Sequence, residues 1–252
     1  MCLLKQGLRR FANAAVLGGA CILVACSLTE SVPPTNAEIE SVGILAIQGG
    51  KHSAVVQLTR WADAGLPVAQ RELGLNFIQR AETWPQAVQL LTKSALAGDA
   101  EAQFVLANAF LAGQYGLAVD HLSAWTWFER AARQGDGKAS FMLARMASHG
   151  QGVTADEVVS VQWLQEASKQ KNAQAMYQLS VAYATGNGIH RNAMQARYWL
   201  NLSAEYDYSI AVQALALELD GLGGSQSPFA ERSRNLLKEA KDHRLMRWNT
   251  HQ

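Results

Sequence analysis

Ala139-Ser-Phe141-Met-Leu143, then Gly150-Gln-Gly152-Val153, then Asp156, Ser160-Val-Gln-Trp163 and Ala167-Ser168, form a pattern that recurs on both sides of itself. Ala102, Ala139, Ala175 and Ala211 are separated by 37, 36 and 36 residues, and Leu106, Leu143, Leu179 and Leu215 by the same intervals. Trp127, Trp163 and Trp199 follow 36 apart. Gly113, Gly150 and Gly186 step by 37 and 36, whereas Asp120, Asp156 and Asn192 step by 36 and 36, so one extra residue lies between Gly113 and Asp120. The loops place it: Gly113-Gln-Tyr-Gly116-Leu117 stands against Gly150-Gln-Gly152-Val153 and Gly186-Asn-Gly188-Ile189. A fixed period of this length marks an array whose units bury their apolar faces only against their neighbours.

Each period reads as two helices. In the first, Ala102, Phe104 and Leu106, with Phe110 a turn on, paint one stripe at helical spacing. Gly113, Gly150 or Gly186 then ends that helix in a left-handed cap. Gly116, Gly152 or Gly188 permits the reversal, and Leu117, Val153 or Ile189 is placed to plug the crevice. Asp120, Asp156 or Asn192 is placed to cap the second helix. That helix carries Ala124-x-x-Trp127, Ser160-x-x-Trp163 or Ala196-x-x-Trp199, the Trp filling the space between units, and closes on small residues that allow close approach. No alternating run bounded by turns competes with this reading as a strand.

The layout Ala-x-x-x-Leu, Gly-x-Gly-Val, Asp, Ala-x-x-Trp, Ala-Ala-x-x-Gly resembles the Sel-one-like repeat, a relative of the tetratricopeptide repeat, over Asp99 to Tyr206. The resemblance implies an all-α fold, a right-handed α-solenoid of about six antiparallel helix pairs. Upstream, Asn36 to Ala97 reads as two degenerate units with shorter loops, and Ser209 to Leu219 as a further first helix. The solenoid is thus expected over 37–224, with a capping helix and tail over 225–252. Two departures from the pattern stand out: the Gly usual after the Leu is Ala107, Ala144 or Ser180, and Gly116 is displaced.

The N-terminus carries an address. Lys5, Arg9 and Arg10 precede Phe11 to Ala25, a stretch of 15 residues whose only polar side chain is Asn13, the layout of a secretory signal. It falls short of the roughly 20 apolar residues of a transmembrane helix. Leu23-Val-Ala25 directly before Cys26 resembles the lipobox of bacterial lipoproteins, in which residues 1–25 are removed and the cysteine is acylated. Cys21 is the rival, but Gly18-Gly-Ala20 supplies no Leu three positions upstream. An ordinary cleaved signal or an uncleaved anchor is the plainer alternative. Ser27 after the anchor favours, by the same resemblance, the outer membrane of a Gram-negative cell with the protein facing the periplasm. Residues 26–36 form a polar, Pro-containing tether. Loss of Cys2 and Cys21 with the leader leaves only Cys26, so no disulfide and no thiol catalysis remain.

Over its 252 residues the chain is 49% hydrophobic, and 22 Lys and Arg offset 21 Asp and Glu for a net charge of +1. That balance supplies no field for nucleic acid. No Gly-x-Ser-x-Gly elbow, phosphate loop or zinc spacing occurs, so no catalytic set, metal or cofactor is assigned. His121, His149 and His190 fall at or beside the Gly-rich loops but at different positions within their units. A muramidase-like hydrolase would need an acid facing a carboxylate across a cleft.

The groove of first helices is the better candidate. Side chains two before and two after Leu106, Leu143 and Leu179 give a ladder of Phe104, Phe141 and Tyr177 beside Asn108, Arg145 and Val181. Aromatics with an Arg carry binding energy at protein interfaces. The same aromatics could instead pack between units, and that alternative stays open. A protein or peptide partner in the cell envelope is the leading expectation, with the bilayer held through Cys26. A binder of envelope polysaccharide or peptidoglycan is the second.

Overall fold

The computed structural model describes residues 33–221, together with Asn235 and Lys238. The expected leader, the anchor Cys26 and most of the tether lie outside the described residues. So does the expected capping helix over 225–252, apart from Asn235 and Lys238, which are helical and exposed.

Among the described residues there are eleven α-helices and no strand. They are α1 (Asn36–Gly49), α2 (His52–Asp63), α3 (Pro67–Phe77), α4 (Trp84–Leu96), α5 (Ala100–Ala112), α6 (His121–Arg133), α7 (Gly137–His149), α8 (Glu157–Lys169), α9 (Ala173–Thr185), α10 (Ala193–Glu205) and α11 (Ser209–Gly221). A 3₁₀ turn, Ala81–Thr83, leads into α4. Consecutive helices pair, and each second helix packs on the first helix of the next unit, the arrangement of an α-solenoid. Five pairs are complete, and α11 opens a sixth. α1 begins at Asn36, where the sequence reading still had tether, because Thr35 and Glu38 close a reciprocal capping box there.

The helices start where short acceptors stand. Asp120 accepts from the amides of Leu122 and Ser123, Asp156 from Val158 and Val159, and Asn192 from Met194 and Gln195. Their own amides close the loops, donating to the carbonyls of Phe110, Ala147 and Tyr183 at 2.9, 2.9 and 2.8 Å. Asp99, Asp136 and Asn172 cap the first helices in the same way, a role the sequence reading did not assign. Asp156→Ala leaves two amides of α8 without a side-chain acceptor and is expected to cost about 1 kcal/mol, while Asp156→Asn costs little. Thermal unfolding followed by circular dichroism separates the two variants, and equal midpoints would refute the assignment.

Ala102, Ala139, Ala175 and Ala211 are fully buried, as are Leu106, Leu143 and Leu179. The small position near the end of the second helices from α4 to α10 runs Ser94, Ala131, Ala167, Ser203, every one buried. Where it is Ser, the hydroxyl donates to the start of the first helix of its own unit, Ser94 to the Pro67 carbonyl and Ser203 to that of Ala173, at 2.8 and 2.6 Å. Trp127 and Trp163 each touch two successive core clusters and so bridge units, as their spacing implied.

The glycines divide into two kinds. Gly113, Gly150 and Gly186 are left-handed helix ends. Gly152 and Gly188 also have positive φ, 78° and 68°, but their second role lies between units. A Cβ on Gly152 would strike the carbonyl of His121, and one on Gly188 that of Glu157, at the first residue of the preceding second helix. The loops of the α7–α8 and α9–α10 units therefore rest, backbone on backbone, each on the unit before it. Gly116, displaced by the extra residue, faces open space, and the neighbouring Tyr115 instead sets its ring edge-on to Trp84 at 6.1 Å.

Candidate functional site

Among the described residues, clefts open between the first helices and the second helices that separate them, and two of these hold ladder residues. The larger, about 400 Å³, lies among α7, α8 and α9, and Phe141, Arg145 and Val181 of the expected ladder line it. Gln174 and Gln178 of α9 and Tyr208 complete a polar rim above an apolar floor of Ala144, Val161 and Leu164. The second, about 330 Å³, takes Tyr177 and Val181 from the ladder with Arg191, Arg197 and Leu200. Val181 lines both clefts. Tyr177 and Tyr208 meet at 5.6 Å with their planes tilted 53°. Burial pushes the Tyr208 phenol above its usual value, and the neighbouring Tyr177 phenol adds to this, so the Tyr208 ring stays a neutral hydrogen-bonding group near neutral pH.

Two ladder residues do not join the clefts described. Phe104 packs edge-on against the buried ring of Phe128 at 5.6 Å and 62°, and Asn108 donates its amide to the Phe104 carbonyl at 3.0 Å. The reason lies on the facing helix. Phe128 offers α5 a ring where α8 and α10 carry Leu164 and Leu200, so the aromatic of this unit turns into the core. Phe141 is intermediate: it packs on the core around Val161 and Leu164 while bordering the larger cleft. Trp127, Trp163 and Trp199 pack against core clusters and line neither cleft.

The charges of the larger cleft are unequally held. Glu157 accepts from the Ser148 hydroxyl at 2.7 Å, which fixes it to the wall. Arg145 is exposed, its guanidinium 3.8 Å from the Met142 sulfur, and no carboxylate among the described residues pairs with it. His149 donates through Nδ1–H to the Arg145 carbonyl, 2.8 Å away. No group of three or more His, Cys, Asp or Glu among the described residues is placed to hold a metal ion, so the loop histidines do not converge.

One constellation escaped the sequence reading. Arg71, 5% exposed, donates to Glu72 through Nε and Nη2 at 3.0 and 2.8 Å, to Glu40 of α1 at 2.8 Å, and to Asp99 at the start of α5 at 2.9 Å. Glu101 stands 3.5 Å from the same guanidinium. Burial opposes the Arg71 charge, but the carboxylates outweigh it and hold its pKa above the ordinary value. Burial raises the Glu72 carboxyl, against the hydrogen bonds from Arg71 that pull it down. Glu72 lies against Gly43 of α1, and it borders neither cleft, so it is not placed as an acid toward a ligand in either. The cluster ties α1, α3 and α5 together.

A stack of helix pairs with a one-sided series of clefts defines the class, an all-α repeat solenoid. Residues 85–99, 100–136, 137–172 and 173–205 each match the Sel1 repeat, the last three starting one residue after the caps Asp99, Asp136 and Asn172. The chain carries four consecutive Sel1 repeats over residues 85–205. Its fold is similar to that of a Sel1 repeat protein from Oxalobacter formigenes, at 27% identity and a TM-score of 0.69 over 82% of this chain and 88% of that one. It is also similar to a protective antigen of uropathogenic Escherichia coli that displays an SLR fold, at 26% identity and a TM-score of 0.68 over 81% of this chain and 46% of that one. "Protein sel-1 homolog 2" of Homo sapiens is 30% identical over an aligned stretch of 116 positions that covers 43% of this chain but only 17% of the human protein. No helix among the described residues is long and apolar enough to cross a membrane. Sel1 repeat arrays are protein-interaction scaffolds, and this chain shares that architecture.

Proposed function

We propose that this protein is a non-enzymatic adaptor of the bacterial cell envelope, held at the outer membrane by an acylated Cys26 and binding a periplasmic protein segment along its first helices. The observation that carries the binding half is the larger cleft, where an apolar floor, two glutamines and an unpaired Arg145 lie side by side. That mixture suits an extended peptide: apolar side chains take the floor, the glutamine amides meet peptide groups, and Arg145 meets an acidic side chain or a carboxylate. The anchoring half is supported by the charged-then-apolar leader and by Leu23-Val-Ala25 before Cys26.

Arg145→Glu combined with Val181→Asp changes two exposed side chains of the cleft without touching the core. Crosslinking and affinity capture from native envelopes should enrich one protein with the wild type and lose it with this variant, at unchanged circular dichroism. Capture that the variant leaves intact would remove the cleft from the reading. Recovery of peptidoglycan or polysaccharide in place of a protein, checked by co-sedimentation with purified sacculi, would replace the adaptor with a glycan binder.

A further inference from the structure

α1 buries Ile39, Gly43 and Ala46 against the helices that follow and turns Ile44, Leu45 and Ile47 outward, 54%, 45% and 39% exposed. At helical spacing these three fall on one side of the helix. From Ser41 to Gly50 the chain carries no charged side chain. The acids of α1 stand at its other end and are engaged, Glu38 with Thr35 and Glu40 with Arg71. Just beyond the apolar stretch come Lys51 and His52, both exposed.

The position of Cys26 decides what meets this face. The nine residues Ser27 to Thr35 separate it from α1, and nine extended residues span at most about 30 Å. α1, with 14 residues, is itself about 21 Å long. A chain acylated at Cys26 therefore keeps the start of α1 within about 30 Å of the lipid headgroups, roughly one and a half times the length of the helix. So short a tether gives a high effective concentration, and a face that binds a bilayer weakly from solution, filling only at high lipid, is occupied once tethered. We propose that α1 lies along the bilayer surface, with Ile44, Leu45 and Ile47 at the boundary of headgroups and acyl chains and Lys51 against lipid phosphate. This rests on the anchoring reading but goes beyond it, because an acyl anchor alone does not require the helix to touch lipid. Docking at α1 sets the first unit on the membrane and leaves the clefts of α7 to α11 at the far end of the array.

The test uses the full chain expressed with its leader, with Cys2→Ser and Cys21→Ser, acylation at Cys26 read by intact mass, and Leu45→Cys carrying a polarity-sensitive fluorophore. With vesicles of phosphatidylethanolamine and phosphatidylglycerol, the label should shift to the blue and be quenched by lipids brominated on their acyl chains. The same label at Thr126→Cys on α6 should stay aqueous. Ile44→Lys with Ile47→Lys should abolish the blue shift while the acylated chain still floats with the vesicles. A chain that floats with its Leu45→Cys label in water overturns the proposal and leaves the anchor standing. An intact mass without acyl groups ends the anchoring reading instead. The label in a chain with all three native cysteines replaced by Ser then decides α1 separately, a blue shift at high lipid supporting it and none overturning it. A blue shift that rises with protein concentration in the absence of lipid identifies a second copy as the occupant and also overturns it.

Discussion

Arg71→Met is expected to lower the unfolding free energy by about 3–5 kcal/mol, because it leaves the buried carboxylates of Glu72 and Asp99 without their cation. The pH dependence gives this prediction its signature. Burial already places the Glu72 pKa above its ordinary value, and in the variant the downward pull of Arg71 is gone. A carboxyl whose folded pKa exceeds its unfolded one costs stability above the folded pKa, and that cost disappears as pH falls through it. The deficit of the variant relative to wild type should therefore be largest near neutral pH and shrink on acidification toward the carboxylate range. Arg71→Lys keeps the charge but not the fork that reaches α1, α3 and α5 at once, and should fall between the two. Urea unfolding at several pH values checks the series. A deficit that does not change with pH would mean the loss comes from packing alone.

Gly188→Ala is expected to cost about 2–5 kcal/mol, from two sources that a paired variant separates. The positive φ of 68° charges any Cβ-bearing residue about 1–2 kcal/mol. The Cβ would also collide with the carbonyl of Glu157, a backbone atom at the start of α8 that cannot swing aside, adding a further 1–3 kcal/mol or so of overpacking. Gly116→Ala is the control, since its φ is 78° but nothing lies within 4 Å of the new Cβ. It should pay the backbone term only. The difference between the two unfolding midpoints measures the contact between units, and equal midpoints would show that the loop does not bear on its neighbour.

The repeat frame was legible because its determinants are spaced identically and act locally. Ala and Leu fix the buried stripe, Gly ends a helix, and Asp or Asn starts the next, so the period carries the geometry with it. The clefts were half legible. Phe141, Arg145, Tyr177 and Val181, two residues to either side of the buried Leu of their helices, line the clefts, but nothing in that spacing announces that Phe128 draws Phe104 inward, because the difference from Leu164 and Leu200 lies on the opposing helix. The Arg71 cluster was not legible, since Glu40 and Asp99 lie 31 and 28 residues away across a shortened unit. One sign of it did exist. Arg71 stands two residues before Leu73, the rung that Phe104, Phe141 and Tyr177 occupy in later units, and a cation on a rung otherwise aromatic demands partners.

The seam formed by Gly152 on His121 and repeated by Gly188 on Glu157 determines how a gene for such a chain can change length. Excision of residues 137–172 would join Asp136 to Ala173, substitute one helix cap for another, and bring Gly188 to the carbonyl that Gly152 had met. Duplication of the same block would add a seam of the same chemistry, along with one more cleft. Recombination in whole steps thus keeps the glycine seam and changes the number of clefts. A gain of one residue is tolerated where a loop can bulge, as between Gly113 and Asp120, but there the glycine seam is exchanged for a Tyr115 and Trp84 ring contact.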